Sequence, residues 1–202
     1  MDQFEAFILA GGASSRMGVD KSQLLIGNKS LTQHIANTLF NVSTSVTIVG
    51  RQPEDARIKS AMDVYPHWGA LGGLHGALHA CKGEWVFVVA CDLPLITSEL
   101  ITRLASERND NEAIVPIQQD GRPQPLCAFY RVDPCLERAT ELIEKGFRRP
   151  LDLLENVKTR WVAFSELEEL PESQNFFVNI NTPEDYYEAI QKSAVHKNLS
   201  GY

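Results

Sequence analysis

The chain has 202 residues, of which 44% are hydrophobic and 22% are charged, and its formal net charge is -7 at pH 7. This length and apolar content suit one compact domain with a hydrophobic core. The acidic balance disfavours nucleic acid and anionic membranes as partners, because both bind basic surfaces. The four cysteines lack metal-site or disulfide-framework spacing, and no apolar run is long enough to span a bilayer, so we expect a cytoplasmic protein with reduced thiols.

The first predicted strand, Phe4–Leu9, is an apolar run whose only charge is Glu5, and paired glycines follow shortly after it. A glycine-rich loop after a buried strand is a common nucleotide site in open α/β sheets, because missing Cβ atoms let backbone N–H groups approach phosphate oxygens. This loop also carries two cations, Arg16 and Lys21, which suit a triphosphate. Its spacing matches neither a Walker loop nor the dinucleotide fingerprint. The alternative is a Gly/Ser turn with incidental charges.

The next part of the chain has ordinary helix and strand patterns. Ser30 precedes apolar residues at helical spacing, which predicts a capped helix. In chain order we predict a strand at 23–26, the helix after Ser30, a strand at 46–49, a short helix at 53–61 and a strand at 62–65.

The segment Gly69–Ala80 is predicted to be a glycine-rich turn that continues into a helix, so that its first free N–H groups can face a ligand. The alternative is a segment in which small residues serve tight helix packing. His75 and His79 would share one face of this helix, as in a two-histidine metal site, but no third ligand follows at a suitable spacing. We therefore interpret them as a solvated or core-edge pair.

The most apolar run, Trp85–Ala90, predicts a central parallel strand, and Asp92 follows at its carboxyl end. That is the edge from which the opening loop also leaves the sheet. A carboxylate there is well placed to hold Mg²⁺ against phosphate oxygens, since Mg²⁺ takes one or two carboxylates and completes its shell with water and substrate. The alternative is that Asp92 only caps the next turn.

The second half of the chain carries a weaker chemical signal. Arg148 and Arg149 either contact an anionic acceptor or begin a solvated helix. We expect a single domain over 1–192 and a C-terminal tail over 193–202. The predicted elements are a helix capped by Thr97, strands at 113–117 and 126–130 joined by a turn, helices at 134–145 and 150–154, a strand at 161–164 and a helix starting at Thr182.

Four segments together resemble the molybdenum cofactor guanylyltransferases, within the nucleotidyltransferases of glycosyltransferase-A-like Rossmann fold. The segments are 9–21, 63–74, 91–94 and 178–185, and the resemblance extends over the chain to about Ile190. It implies an α/β fold of three layers, with a mainly parallel central sheet and a small antiparallel excursion. Relatives carry proline where this chain has Ala70, so the turn at the start of the glycine-rich helix is expected to be looser.

The resemblance implies a Mg²⁺-dependent enzyme that transfers GMP from GTP to the terminal phosphate of molybdopterin and releases pyrophosphate. Cofactor-delivery proteins and apo-molybdoenzymes would be further partners. One alternative is a related transferase that uses CTP or a sugar or alcohol phosphate. Another is a nucleotide-binding chaperone for molybdoenzymes without turnover, but the presence of Arg16, Lys21 and Asp92 together favours an enzyme.

The same resemblance assigns site residues. The implied catalytic residues are Arg16, Lys21 and Asp92, and Asp92 is also the metal ligand. The implied nucleotide-binding residues are Leu9, Ala10, Gly11, Gly12, Lys21, Asp63, Leu71, Gly72 and Asp92. The implied acceptor-binding residues are Gln124, Pro125, Asn179 and Asn181.

Overall fold

The computed structural model of the protein describes residues 3–10, 25–26, 28–180, 182 and 185–187. Some predicted site residues lie outside the described residues, namely Gly11, Gly12, Arg16 and Lys21 of the opening loop and Asn181. The predicted tail, 193–202, also lies outside them.

The described residues include nine strands and five α-helices, and residues 185–187 are also helical. The strands are β1 (Glu5–Leu9), β2 (Leu25–Ile26), β3 (Lys29–Ser30), β4 (Val46–Val49), β5 (Lys59–Ala61), β6 (Trp85–Ala90), β7 (Ala113–Pro116), β8 (Cys127–Arg131) and β9 (Thr159–Val162). The helices are α1 (Leu31–Phe40), α2 (Gly69–Ala80), α3 (Ser98–Ala105), α4 (Val132–Glu144) and α5 (Pro150–Leu154). Two short 3-10 helices follow, at Phe164–Glu166 and Ser173–Asn175.

Within the described residues, seven strands form the central sheet in the order β5-β4-β1-β6-β8-β7-β9. The strand β1 pairs in parallel with β4 and β6, and β7 pairs in parallel with β9. Only β8 runs against its neighbours, since it is antiparallel to both β6 and β7. A separate antiparallel pair is formed by β2 and β3. The predicted mainly parallel sheet with a small antiparallel excursion is therefore confirmed.

Helices cover both faces of the sheet, which gives three layers. The side chains of β1 alternate between the faces: Ala6 and Ile8 join the core under α1 and α3, whereas Phe7 and Leu9 join the core under α2, α4 and α5. The helix α1 begins as predicted, because Ser30 and Gln33 form a reciprocal capping box. Both faces of β1 are buried, as expected for a central strand.

Glu5, the charge within the first strand, ties β1 to the turn between α2 and β6. Its Oε1 accepts hydrogen bonds from the backbone N–H groups of Lys82 at 2.7 Å and Gly83 at 2.8 Å, and the Ser45 hydroxyl donates to its Oε2 at 3.2 Å. Burial by itself raises the pKa of Glu5, but these hydrogen bonds outweigh burial and hold the pKa below its ordinary value. The carboxylate is therefore a structural acceptor.

Two predicted elements near the sheet edge are wrong. Residues 53–58 form turns and bends where we predicted a short helix, and β5 lies at Lys59–Ala61 where the predicted strand was at 62–65. The register with β4 fixes β5, because Thr47 pairs with Lys59 and Val49 with Ala61. A similar shift occurs at β9, which begins at Thr159 because its pairing with β7 starts there.

The four cysteines are free, and three of them, Cys81, Cys127 and Cys135, are buried. Burial raises the pKa of each of these three thiols to about 12, so they stay protonated near neutral pH. Among the described helices, none combines the length and the apolar content that a membrane crossing needs.

Candidate functional site

Asp92 lies at the edge of the sheet where β1 and β6 end side by side. Leu9 pairs with Ala90 in the parallel ladder, and the N–H of Cys91 donates to the carbonyl of Leu9 at 3.1 Å. On the other side, the N–H of Ala10 donates to the carbonyl of Val49 at 3.1 Å. The chain therefore enters the glycine-rich segment at the same edge as Asp92, as the sequence predicts.

The C-terminal motif reaches this edge through the backbone of Asp92. The N–H of Ile180 donates to the carbonyl of Asp92 at 2.9 Å, and the Ile180 side chain is fully buried. Asn179 is next to it, and its side-chain amide donates to the carbonyl of Phe177 at 3.2 Å. Three of the four segments that carry the family resemblance therefore have residues at the ends of β1 and β6. These residues are Leu9 at the start of the opening segment, Asp92, and Ile180 in the C-terminal segment.

The start of α2 is tightly packed around Gly72. A Cβ atom at Gly72 would lie 2.8 Å from both the Cβ of Trp68 and the carbonyl oxygen of Tyr65. Gly69 has a φ of 71°, which favours glycine. Leu71 is fully buried, so its side chain belongs to the core. Gly72 therefore serves helix packing at the start of α2.

A turn from the second half of the chain holds the start of α2 in place. The indole N–H of Trp68 donates to the carbonyl of Phe147 at 2.8 Å, and the N–H of Leu71 donates to the carbonyl of Arg148 at 3.2 Å. The guanidinium of Arg148 lies over the Trp68 ring, 4.5 Å from its centroid. We call these contacts the Trp68 clamp. Its partners are about 80 residues apart, so no local sequence signal reveals it.

Arg149 and Asp63, in contrast, interact with residues close to them in sequence. The guanidinium of Arg149 makes an ion pair with Asp152 at 2.6 Å, at the first turn of α5. The carboxylate of Asp63 accepts a hydrogen bond from the N–H of Tyr65 at 3.1 Å. Asp63 therefore shapes the chain just before Trp68 and α2.

Gln124 and Pro125 lie between β7 and β8, next to the end of β6. The N–H of Gln124 donates to Pro116 at 2.9 Å, and the carbonyl of Pro125 accepts from the Tyr130 hydroxyl at 2.7 Å. The next residue, Leu126, accepts from the N–H of Ala90 at 2.9 Å. This predicted acceptor-side segment is therefore fixed beside the strand that leads to Asp92.

His75 and His79 form the predicted core-edge pair. Their rings stack with 6.1 Å between centroids, and Nε2 of His75 lies 3.0 Å from the hydroxyl of Thr140. Burial lowers the pKa of His75, and the neighbouring His79 lowers it further. No group of three or more His, Cys, Asp or Glu residues in the described chain can hold a metal ion.

Asp92 nevertheless fits a Mg²⁺ site of the kind that a substrate completes. Its side chain is half-buried at the open edge of the sheet, and it supplies the hard carboxylate oxygen that Mg²⁺ prefers. Such a site needs only one or two protein carboxylates, because water and phosphate oxygens provide the other ligands. The donor chemistry of the described residues is therefore compatible with Mg²⁺ at Asp92.

The chain is similar to known proteins along most of its length. The family model described as MobA-like NTP transferase domain matches residues 6–159. A probable molybdenum cofactor guanylyltransferase of Carboxydothermus hydrogenoformans is 31% identical over 190 residues, which cover 92% of this chain and 94% of that protein. A protein of the same name from Clostridium perfringens is 32% identical over 201 residues, which cover 94% of this chain and 98% of the relative.

The fold comparison agrees with the sequence comparison. The crystal structure of molybdopterin-guanine dinucleotide biosynthesis protein A from Archaeoglobus fulgidus superposes with a TM-score of 0.80 at 23% identity. The match covers 95% of this chain and 99% of that one. At this identity the likeness establishes the shared fold.

Proposed function

Since the chain belongs to the MobA-like NTP transferase family, we propose that it transfers GMP from GTP to the terminal phosphate of molybdopterin. Pyrophosphate is released, and the cofactor takes its guanine dinucleotide form. The observation that carries this proposal is the similarity to proteins named molybdenum cofactor guanylyltransferase over more than nine-tenths of the chain.

The chemistry requires positioning and charge neutralisation more than proton transfer. A phosphate monoester is already anionic, so it attacks the α-phosphorus of GTP without a strong general base. The backbone around Asp92 suits this task because it is held on both sides, by the hydrogen bonds from Cys91 to Leu9 and from Ile180 to Asp92. A carboxylate on a fixed backbone holds its position during the reaction.

Asp92 is the residue that would hold Mg²⁺ in this proposal. When bound, the ion supplies a Lewis acid that neutralises phosphate charge. We therefore propose that the transfer reaction depends on Mg²⁺.

Leu9, Ala10 and the turn Gly69–Gly73 are proposed to enclose the guanine. The Cβ position of Gly73 is 3.5 Å from Cδ1 of Leu9, so the end of β1 and the start of α2 are neighbours in space. Leu71 and Gly72 would contribute through their backbone. Asp63 would help to hold the nucleotide by shaping the approach to this turn.

Arg16 and Lys21 are proposed to neutralise the charge that grows on the leaving pyrophosphate, with Gly11 and Gly12 as backbone donors. We expect Lys21→Ala to reduce kcat/KM at least tenfold, or about 1.4 kcal/mol of transition-state stabilisation. The measurement is pyrophosphate release from GTP and molybdopterin. Lys21→Arg keeps the charge and should retain more activity than the alanine variant. Equal rates for wild type and Lys21→Ala would contradict this role.

Gln124, Pro125, Asn179 and Asn181 are proposed to face the acceptor. Gln124 and Pro125 lie beside the end of β6. Asn179 directly precedes Ile180, whose N–H donates to the carbonyl of Asp92. We further propose that residues 1–192 form one domain and that the protein acts in the cytoplasm. Its further proposed partners are cofactor-delivery proteins and apo-molybdoenzymes.

The test compares nucleotides before it measures turnover. With Mg²⁺ present, GTP at 100 times its Kd should raise Tm by about 5 °C or more, and CTP at the same concentration should raise it less. Pyrophosphate should then appear when molybdopterin is added. A larger shift with CTP would favour a cytidylyltransferase. A shift with GTP but no pyrophosphate would favour a nucleotide-binding chaperone.

A further inference from the structure

A groove opens at the edge of the sheet, where β7 and β9 end. It is a groove of about 450 Å³, within the range of small-molecule pockets. Its polar lining includes three glutamines, Gln118, Gln119 and Gln174, and its aromatic lining is Phe164 and Phe177. We call it the glutamine groove.

The strand directions place the glutamine groove on the same edge as Asp92. Since β8 is antiparallel to both β6 and β7, these two strands run the same way, and β9 is parallel to β7. Residues that follow Pro116 and Val162 therefore leave the sheet at the carboxyl edge. Val178 also lines the groove, and Ile180, two residues later, donates its N–H to Asp92. The groove therefore opens on the same edge of the sheet as Asp92, and the segment from Val178 to Ile180 connects the two.

The lining is suited to a neutral polar ring. The side chains of Gln118, Gln119 and Gln174 make no hydrogen bond to any residue of the described chain. Each amide both donates and accepts hydrogen bonds, so it can match a heterocycle that carries donors and acceptors along one edge. Phe164 and Phe177 provide flat apolar surface for such a ring.

The charge in the groove argues against a phosphate ligand. Its described lining contains no lysine or arginine, and its one carboxylate, Asp120, is paired with Arg122 at 2.6 Å. Phosphate sites usually include a lysine or arginine, and the described lining has neither. The groove is therefore a place for the ring of a substrate whose phosphate lies elsewhere.

The backbone around the groove is held in place by hydrogen bonds within the protein. The N–H of Gln118 donates to the carbonyl of Arg122 at 2.8 Å, and the N–H of Gly121 donates back to Gln118 at 2.9 Å, which closes this turn. Phe177 is only 9% exposed and is anchored beside the fully buried Phe176. The backbone needs no further ordering when a ligand enters, so the entropic cost of binding is limited to the glutamine side chains.

We propose that the glutamine groove binds the pterin ring of the acceptor while its terminal phosphate reaches Asp92. The pterin ring is planar and presents an amide-like edge, which the glutamine amides can pair with. This inference rests on the proposed function and adds to it the part of the site that recognises the acceptor.

The test removes two of the amides and keeps the volume of the side chains. We expect the double variant Gln118→Leu, Gln174→Leu to raise KM for molybdopterin about tenfold, because it loses two or more hydrogen bonds. KM for GTP should stay within about twofold of the wild-type value. The control is Gln3→Leu, an exposed glutamine at the opposite end of β1, which should change neither constant.

A second measurement uses pterin itself, without phosphate, as the probe. Wild type should bind it in a saturation-transfer NMR titration, and the double variant should bind it about tenfold more weakly. If wild type transfers GMP but the double variant keeps its molybdopterin KM, the groove is not the pterin site and the proposed function stands. If wild type transfers no GMP, the proposed function fails, and the pterin titration alone then supports or overturns the groove.

Discussion

Replacing Asp92 by alanine is expected to reduce turnover about a hundred- to a thousandfold, the cost of losing a preorganised electrostatic contact in a transition state. The proposed reaction gathers the negative charges of two phosphate groups, and Asp92 is the carboxylate that the described chain presents at the ends of β1 and β6. The measurement is pyrophosphate release at saturating GTP and molybdopterin. The hydrogen bond from Ile180 uses the backbone carbonyl of Asp92, so the substitution leaves the acceptor of that hydrogen bond in place.

Asp92→Asn separates the charge of this side chain from its shape. An amide is a weaker Mg²⁺ ligand than a carboxylate, so we expect half-maximal activity at a higher Mg²⁺ concentration. The matched control is Asp110→Asn, which removes an exposed carboxylate from the opposite edge of the sheet. Full activity of Asp92→Ala at every Mg²⁺ concentration would remove this residue from the mechanism.

Replacing Gly72 by alanine is expected to destabilise the protein by about 1–3 kcal/mol, as overpacking in a close-packed core does. The added Cβ would meet the carbonyl of Tyr65 and the Cβ of Trp68, both at 2.8 Å. Neither atom can swing away, because one belongs to the backbone and the other is fixed by the Trp68 clamp. For a chain of this size each kcal/mol lowers Tm by about 2–4 °C. To relieve these contacts the turn Gly69–Gly73 must move. Because this turn is proposed to enclose the guanine, we also expect a higher KM for GTP.

Gly73→Ala is the matched control for this substitution. It adds the same methyl group one residue later, where the nearest atom is Cδ1 of Leu9 at 3.5 Å, an ordinary contact. Alanine is also the better helix former by about 1 kcal/mol. Its Tm should therefore stay level or rise. Equal losses of Tm in the two variants would show that the cost is not the contact with Tyr65 and Trp68.

The elements that sequence patterns predicted well are those with strong local signals. The helix α1 has a capping residue, Ser30, and buried positions at helical spacing. The strand β6 is a continuous apolar run between β1 and β8, and both faces of the sheet bury it. Asp92 could be placed correctly for the same reason, since a residue after a central parallel strand must lie at the carboxyl edge.

The elements that sequence patterns missed depend on partners far along the chain. The strand β5 reads Lys-Ser-Ala and is largely exposed, so it has neither apolar alternation nor buried length, and its position follows only from pairing with β4. The hydrogen bond between Trp68 and Phe147 joins residues on either side of three strands and three helices. Arg148 was a candidate for an anionic acceptor, but its guanidinium lies on Trp68. The glutamine groove is formed where three separate segments meet.

The hydrogen bond from Ile180 to Asp92 bears on where this protein can be shortened. The matched family region ends at residue 159, yet Leu167, Phe176 and Ile180 are fully buried side chains beyond that boundary. A fragment cut at residue 159 would expose apolar surface beneath α1 and α3 and would release the backbone next to Asp92, the proposed metal ligand. The smallest fragment with full activity should therefore extend past Ile180, and expression trials designed from the family boundary alone would yield an inactive, aggregation-prone product.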